Sequence, residues 1–119
     1  MTDAQIVRLE AADAPRIVDC FQRVYGDSYA NELYYDADAL ALAISSGRLG
    51  SVGARAADGS LLGHMAMTVH ADASVVELGN TVVDPAARGQ GLAWKVGAEL
   101  SAWARQLGYQ GFLHYPTTD

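Results

Sequence analysis

The chain has 119 residues, half of them hydrophobic, with a net charge of −6. That length suits one domain burying about two-thirds of the surface of its unfolded chain, and the acidic balance argues against general nucleic-acid binding, which needs a basic footprint. Cys20 is the only cysteine, which excludes an internal disulfide and a cysteine metal cage.

The longest apolar run is far too short to cross a bilayer, so no membrane partner is expected. The first residues lack the basic-then-apolar pattern of a secretory leader, and a cytoplasmic protein is the simplest reading.

In chain order, residues 5–9 read as a first strand. Asp13 is placed to cap a helix with Pro15 in its first turn and Ile17, Phe21, Val24 and Tyr25 as its apolar stripe. A tyrosine-rich loop over residues 26–35 leads to a second helix, with Asp36 as N-cap, Leu40 and Ile44 on its buried face and Gly47 as its stop. Residues 51–57 and 60–69 read as two strands, joined by the tight-hairpin signal Ala57-Asp58-Gly59-Ser60. Residues 74–83 form another strand. Leu92, Val96, Leu100, Trp103 and Leu107 then recur at helical spacing, and Gly108 closes that helix. Residues 110–115 read as a last strand, stopped by Pro116. The order is β-α-α-β-β-β-α-β, an α/β (α+β) mixed sheet whose last three elements should form a right-handed parallel unit.

The most informative stretch is Val82-Val83-Asp84-Pro85-Ala86-Ala87-Arg88-Gly89-Gln90-Gly91-Leu92-Ala93. It joins an apolar strand to an amphipathic helix through a loop with two closely spaced glycines. Such a loop lets backbone N–H groups approach an anion, and the helix N-terminus adds unpaired donors and the positive end of its dipole. A Rossmann fingerprint would need a third glycine where Trp94 stands, and a P-loop would need Gly-Lys followed by Ser or Thr; neither is present.

Arg88-Gly89-Gln90-Gly91-Leu92-Ala93 does fit Arg/Gln-x-x-Gly-x-Gly/Ala, and so resembles the pyrophosphate-binding motif of the GNAT superfamily of acyl-CoA-dependent N-acyltransferases. Val83-Asp84-Pro85 is similar to that family's lead-in from its fourth strand. The resemblance runs from the family's first strand through its fifth. It lacks the helix and strand pair that usually follow, which makes a C-terminally truncated domain the expectation.

The resemblance implies acetyl-CoA, or another short acyl-CoA, as cosubstrate and no metal. Arg88, Gly89, Gln90, Gly91, Leu92 and Ala93 would hold the pyrophosphate, largely by backbone. N–H groups near Val82 and Val83 would polarise the thioester carbonyl. The pantetheine arm would insert between the fourth and fifth strands.

Glu77, eleven residues before Arg88, matches in register the glutamate that histone-type members use as general base. In an apolar strand its carboxyl would be desolvated and so suited to taking a proton near neutrality. The competing reading is a solvent-facing carboxylate, or one paired with a basic neighbour. The loop between the first two helices commonly forms one acceptor wall in the family, which points to Tyr29, Glu32 and Tyr34 as amine contacts through charge and cation–π attraction; the competing reading, of equal weight, is a mobile polar loop whose tyrosines pack on the domain edge. His114, near the end of the fifth strand, would approach the thioester or the acceptor, unless it is simply a partly buried strand histidine.

By strict alternation Asn80 faces away from Glu77, unless a bulge intervenes. His64 and His70 share a strand face but lie about 20 Å apart, too far to share a metal. Each reads as a solvent-facing or core-edge histidine.

Two functions remain open. One is an N-acetyltransferase acting on a small-molecule or protein amine by direct attack in a ternary complex. The other is a non-catalytic acyl-CoA-binding module of a larger protein. An open sheet edge would also allow a homodimer.

Overall fold

The computed structural model describes residues 4–70 and 74–109, with residues 111–114 described as backbone. Its elements are β1 (Gln5–Leu9), α1 (Ala14–Tyr25), α2 (Ala37–Ser45), β2 (Leu49–Arg55), β3 (Leu61–Val69), β4 (Val75–Val83), α3 (Leu92–Gln106) and β5 (Gly111–His114). The five strands form one sheet in chain order, antiparallel from β1 to β4 and parallel between β4 and β5. The parallel pair is joined through α3, as the strand–helix–strand pattern predicts.

Helices cover both faces. On one, α1 and α2 bury Ile17, Phe21, Tyr34 and Leu40 against Leu9, Leu61, Ala66 and Val82. On the other, Leu92, Val96, Leu100 and Ala104 of α3 pack on Val52, Met65, Met67, Val76 and Leu78. Each large side chain buried in this way contributes about 1.5–3 kcal/mol relative to exposure. Two-sided cover explains why β2, Leu-Gly-Ser-Val-Gly-Ala-Arg, shows no alternation: all but its last residue are buried.

Several ends differ from the sequence reading. Asp36 caps α2 as expected, accepting from Ala39 N at 3.0 Å. Asp13 does not cap α1. Its carboxylate instead accepts from Glu10 N and from Arg55 Nη2, both at 2.7 Å, tying the entry of the helix to β2. The β2–β3 turn is two residues wider on the β2 side and one wider on the β3 side than predicted, because it closes through Ala56 N to Ser60 O at 2.8 Å. Leu107 falls just past the end of α3 and is 55% exposed rather than part of the stripe. Cys20 is a buried core residue, with its thiol pushed up to about 11 by burial.

The irregularity that matters lies between β3 and β4. His64 pairs with Val82 and Ala66 with Gly79, so Asn80 and Thr81 together oppose Met65. This is a bulge in β4, and Asn80 sits there at φ +53°, a left-handed conformation that asparagine tolerates better than most residues.

Candidate functional site

The loop after β4 begins with Asp84, whose carboxylate accepts from Ala86 N at 2.9 Å and from Arg23 Nε at 2.8 Å. The backbone donor at Ala86 and the Arg23 guanidinium hold this carboxyl below its ordinary range. Arg23 also donates to Leu61 O, so α1 is bolted to the start of the loop.

Gly89 and Gly91 follow with φ of +85° and +72°. A Cβ on either would meet no protein atom within 4 Å. The glycines therefore serve backbone conformation beside open space, not tight internal packing. Gly91 is the N-cap of α3, and Lys95 N closes the first helical turn onto Gly91 O at 3.0 Å. The N–H groups that begin α3 precede that bond and have no intrahelical acceptor. Arg88 is exposed beside them. Unobstructed backbone donors at a helix N-terminus are the kind of group that binds a phosphate.

Val82 and Val83 are both buried, so any contact they make with a ligand is through backbone. The described residues of β5 pair with β4 only from Val75 to Leu78. Among the described residues, β4 from Gly79 to Val83 has β3 on one side and no strand on the other. Among the described residues, that backbone edge is therefore unpaired up to the glycine loop.

On the α1–α2 face, the bulge brings Glu77 and Asn80 into one cleft of about 410 Å³, lined also by Tyr29, Asn31, Thr68, Leu78 and Gly79. Tyr29 Oη donates to Asn80 Oδ1 at 2.8 Å, and Asn31 Nδ2 reaches the same oxygen at 3.4 Å. Burial pushes the Tyr29 hydroxyl up to about 12, so it remains a protonated donor. Tyr25 Oη donates to Thr81 O at 3.3 Å. Behind the bulge, His64 lies edge-on to Phe21 and Tyr34, and its Nδ1 meets Asn80 O at 2.9 Å.

The predicted site residues divide accordingly. Glu77 and Tyr29 share the cleft. Glu77 is not desolvated as expected: its side chain is 32% exposed and its Oε1 lies 2.8 Å from His70 Nε2. Tyr34 cannot contact an acceptor, because it is fully buried against Phe21 with ring centroids 4.3 Å apart. Its hydroxyl, close to the Asn80 amide but outside hydrogen-bond geometry, is pushed up by burial. Glu32 is exposed at the start of a short helical turn (Glu32–Tyr35) and does not line the cleft. The backbone of His114 pairs with Leu78; the predicted role of its side chain lies outside the described residues.

His64 and His70 were both set aside by the sequence reading, yet both touch the site. Hairpin register carried a signal for His70: Thr68 stands opposite Glu77, which puts His70 on the diagonal. Among the described residues no helix is long and apolar enough to cross a membrane, and no three His, Cys, Asp or Glu side chains form a metal-sized cluster.

Comparison with solved structures places this fold among acetyltransferases. A GNAT family acetyltransferase from Brucella melitensis in complex with acetyl-CoA superposes with a TM-score of 0.76 at 23% identity, over 99% of this chain and 79% of that one. An acetyltransferase from Trypanosoma brucei gives 0.75 at 16% identity, over 97% of this chain and 84% of that one. A GNAT family N-acetyltransferase from Escherichia coli in complex with CoA gives 0.71 at 25% identity, over 92% of this chain and 60% of that one. No curated protein sequence matches the chain. The family description "Acetyltransferase (GNAT) family" matches residues 14–118, nearly the whole chain. That match covers well over half of the sequence, and the chain belongs to the GNAT acetyltransferase family.

Proposed function

We propose that the protein transfers an acetyl group from acetyl-CoA to a primary amine, by direct attack while both substrates are bound. The observation that carries this reading is the position of Glu77. Its carboxylate opens into a polar cleft on the same strand whose far end runs, through an open backbone edge, into the Gly89–Gly91 cradle. A cradle alone would serve a binding module equally well. A carboxylate in a cleft on the cradle's own strand adds a proton acceptor.

In this reading the backbone of residues 88–93 holds the pyrophosphate and the open edge of β4 offers N–H groups to the thioester oxygen. Glu77 takes the proton of the attacking amine. Tyr29, Asn31 and Asn80 line the acceptor side as neutral hydrogen-bonding groups. The acceptor is a small-molecule or protein amine, the reaction runs in the cytoplasm, and none of these roles calls on a metal. Support comes from the family, from relatives that bind acetyl-CoA and CoA, and from the fit of the cradle.

The test is a calorimetric titration with acetyl-CoA, using dephospho-CoA and NAD as controls, followed by thiol release across a panel of primary amines. Micromolar acetyl-CoA binding with amine-dependent thiol release supports the transferase. Binding without release from any amine makes the protein an acyl-CoA-binding module, and no binding at all removes both readings.

A further inference from the structure

His70 follows the end of β3 and stands outside the cleft that Glu77 lines. Its side chain is half exposed, and its Nε2 lies 2.8 Å from Glu77 Oε1. A carboxylate in a cleft can rotate freely, and a base that samples many orientations loses much of the advantage of being held near its proton. Here one oxygen is fixed from the solvent side. Among the described residues Oε2 has no bonding partner, which leaves it available to the cleft. Among the described residues the other groups around this pair are neutral: Thr68 lies opposite Glu77 in the ladder, and Tyr29 and Asn31 face it from the α1–α2 loop. Arg48 accepts at its carbonyl from Val69 N, but its guanidinium turns to Ser46 Oγ at 3.1 Å. His70 is thus the one side chain seen bonding the Glu77 carboxylate among the described residues.

We propose that His70 is the positioning residue for Glu77 in acyl transfer: its Nε2–H holds Oε1 so that Oε2 meets the amine. The inference rests on the acetyltransferase reading. As the nitrogen–carbon bond forms and the carbon–sulfur bond breaks, the bonding pair leaves on the sulfur of CoA and the amine proton goes to Oε2. His70 touches neither substrate and changes no bond.

The test compares wild type, H70A, H70Q, E77Q and the double variant H70A/E77Q by thiol release from acetyl-CoA, with ethanolamine, spermidine, glucosamine and lysine methyl ester as acceptors. H70A should lower kcat by roughly tenfold while the KM for acetyl-CoA stays within about twofold. H70Q, whose amide N–H can occupy the place of Nε2–H, should recover most of the loss. In the E77Q background, H70A should add nothing further. Unchanged kcat in H70A, a failure of H70Q to rescue, or an equal loss from H70A on top of E77Q would each overturn the positioning role and leave the acetyltransferase reading standing. No thiol release from wild type with any acceptor, despite acetyl-CoA binding, would overturn that reading and this inference together.

Discussion

His64 Nδ1 lies 2.9 Å from the carbonyl oxygen of Asn80, the residue at φ +53° in the β4 bulge. A carbonyl can only accept, so Nδ1 carries the proton and the neutral ring leaves Nε2 as a buried acceptor without a partner in the described structure. The bulge is thereby held from behind by a neutral histidine. Tyr29 and Asn31 hold the same residue from the cleft side through its side-chain amide.

This burial has a pH consequence. Desolvation lowers the His64 pKa from 6.5 to about 4. Between those values the unfolded chain takes up a proton that the folded state refuses. Stability should therefore be independent of this group above about pH 6.5 and fall as the pH drops toward 4, by a total of roughly 3 kcal/mol. Urea unfolding at a series of pH values should show that slope in wild type and lose it in H64Q. A slope that persists in H64Q would mean that another group carries it.

Asn80 itself should tolerate glycine better than alanine. Both variants lose the bond from Tyr29 Oη to the Asn80 side chain, so the ranking turns on the backbone: glycine reaches a left-handed φ without penalty, whereas a β-carbon there costs roughly 1 kcal/mol. N80A should unfold at lower urea than N80G, although alanine is ordinarily the better strand residue. Y29F should cost about 0.5–1.5 kcal/mol, the usual net value of one hydrogen bond. A ranking with N80A above N80G would argue against the left-handed bulge.

Much of this fold was legible in the sequence because period and punctuation agreed. The stripe from Ile17 to Phe21, the cap at Asp36 and the Leu92–Val96–Leu100 face each appear where spacing placed them. The strand–loop–helix junction at Gly89 and Gly91 was legible for the same reason: both glycines take a positive φ just before α3, where their spacing placed the turn. The cleft was not. Strict alternation sends Asn80 away from Glu77, and only the bulge reunites them; its geometry depends on His64, Tyr25 and Tyr29, residues distant in sequence. Tyr34 was misplaced because a tyrosine in a polar loop looks exposed, and only the docking of α1 shows that it caps the core.

Asp84 should report on the junction between α1 and the cradle. Its carboxyl is held below the ordinary 3.8 by Ala86 N and Arg23, so its contribution is present above that value and is lost as the pH falls through the lower folded value. D84A should cost about 1–2 kcal/mol at neutral pH, the range for losing a capping side chain, and nothing once the wild-type carboxyl is protonated. Denaturation curves converging below pH 4 would bear this out. That window lies beneath the one assigned to His64, so the two effects separate on one pH axis.

The sharpest contrast concerns the cradle. If the pyrophosphate is held chiefly by backbone N–H groups, shape matters more there than the Arg88 charge. At Gly91 the protein offers open space, so a new side chain would meet the ligand before it met any protein atom. The left-handed φ adds a folding cost of about 1–2 kcal/mol, which a melting curve records separately. Calorimetry should find acetyl-CoA binding weakened by roughly tenfold or more in G91V, equivalent to at least about 1.4 kcal/mol, and only a few-fold in R88A. Salt should act the other way. Raising ionic strength should weaken wild-type binding and affect R88A less, because one screened charge has been removed. If R88A instead lost affinity as severely as G91V, the guanidinium and not the backbone would be the principal phosphate ligand, and the positive φ values of Gly89 and Gly91 would serve only to turn the chain into α3.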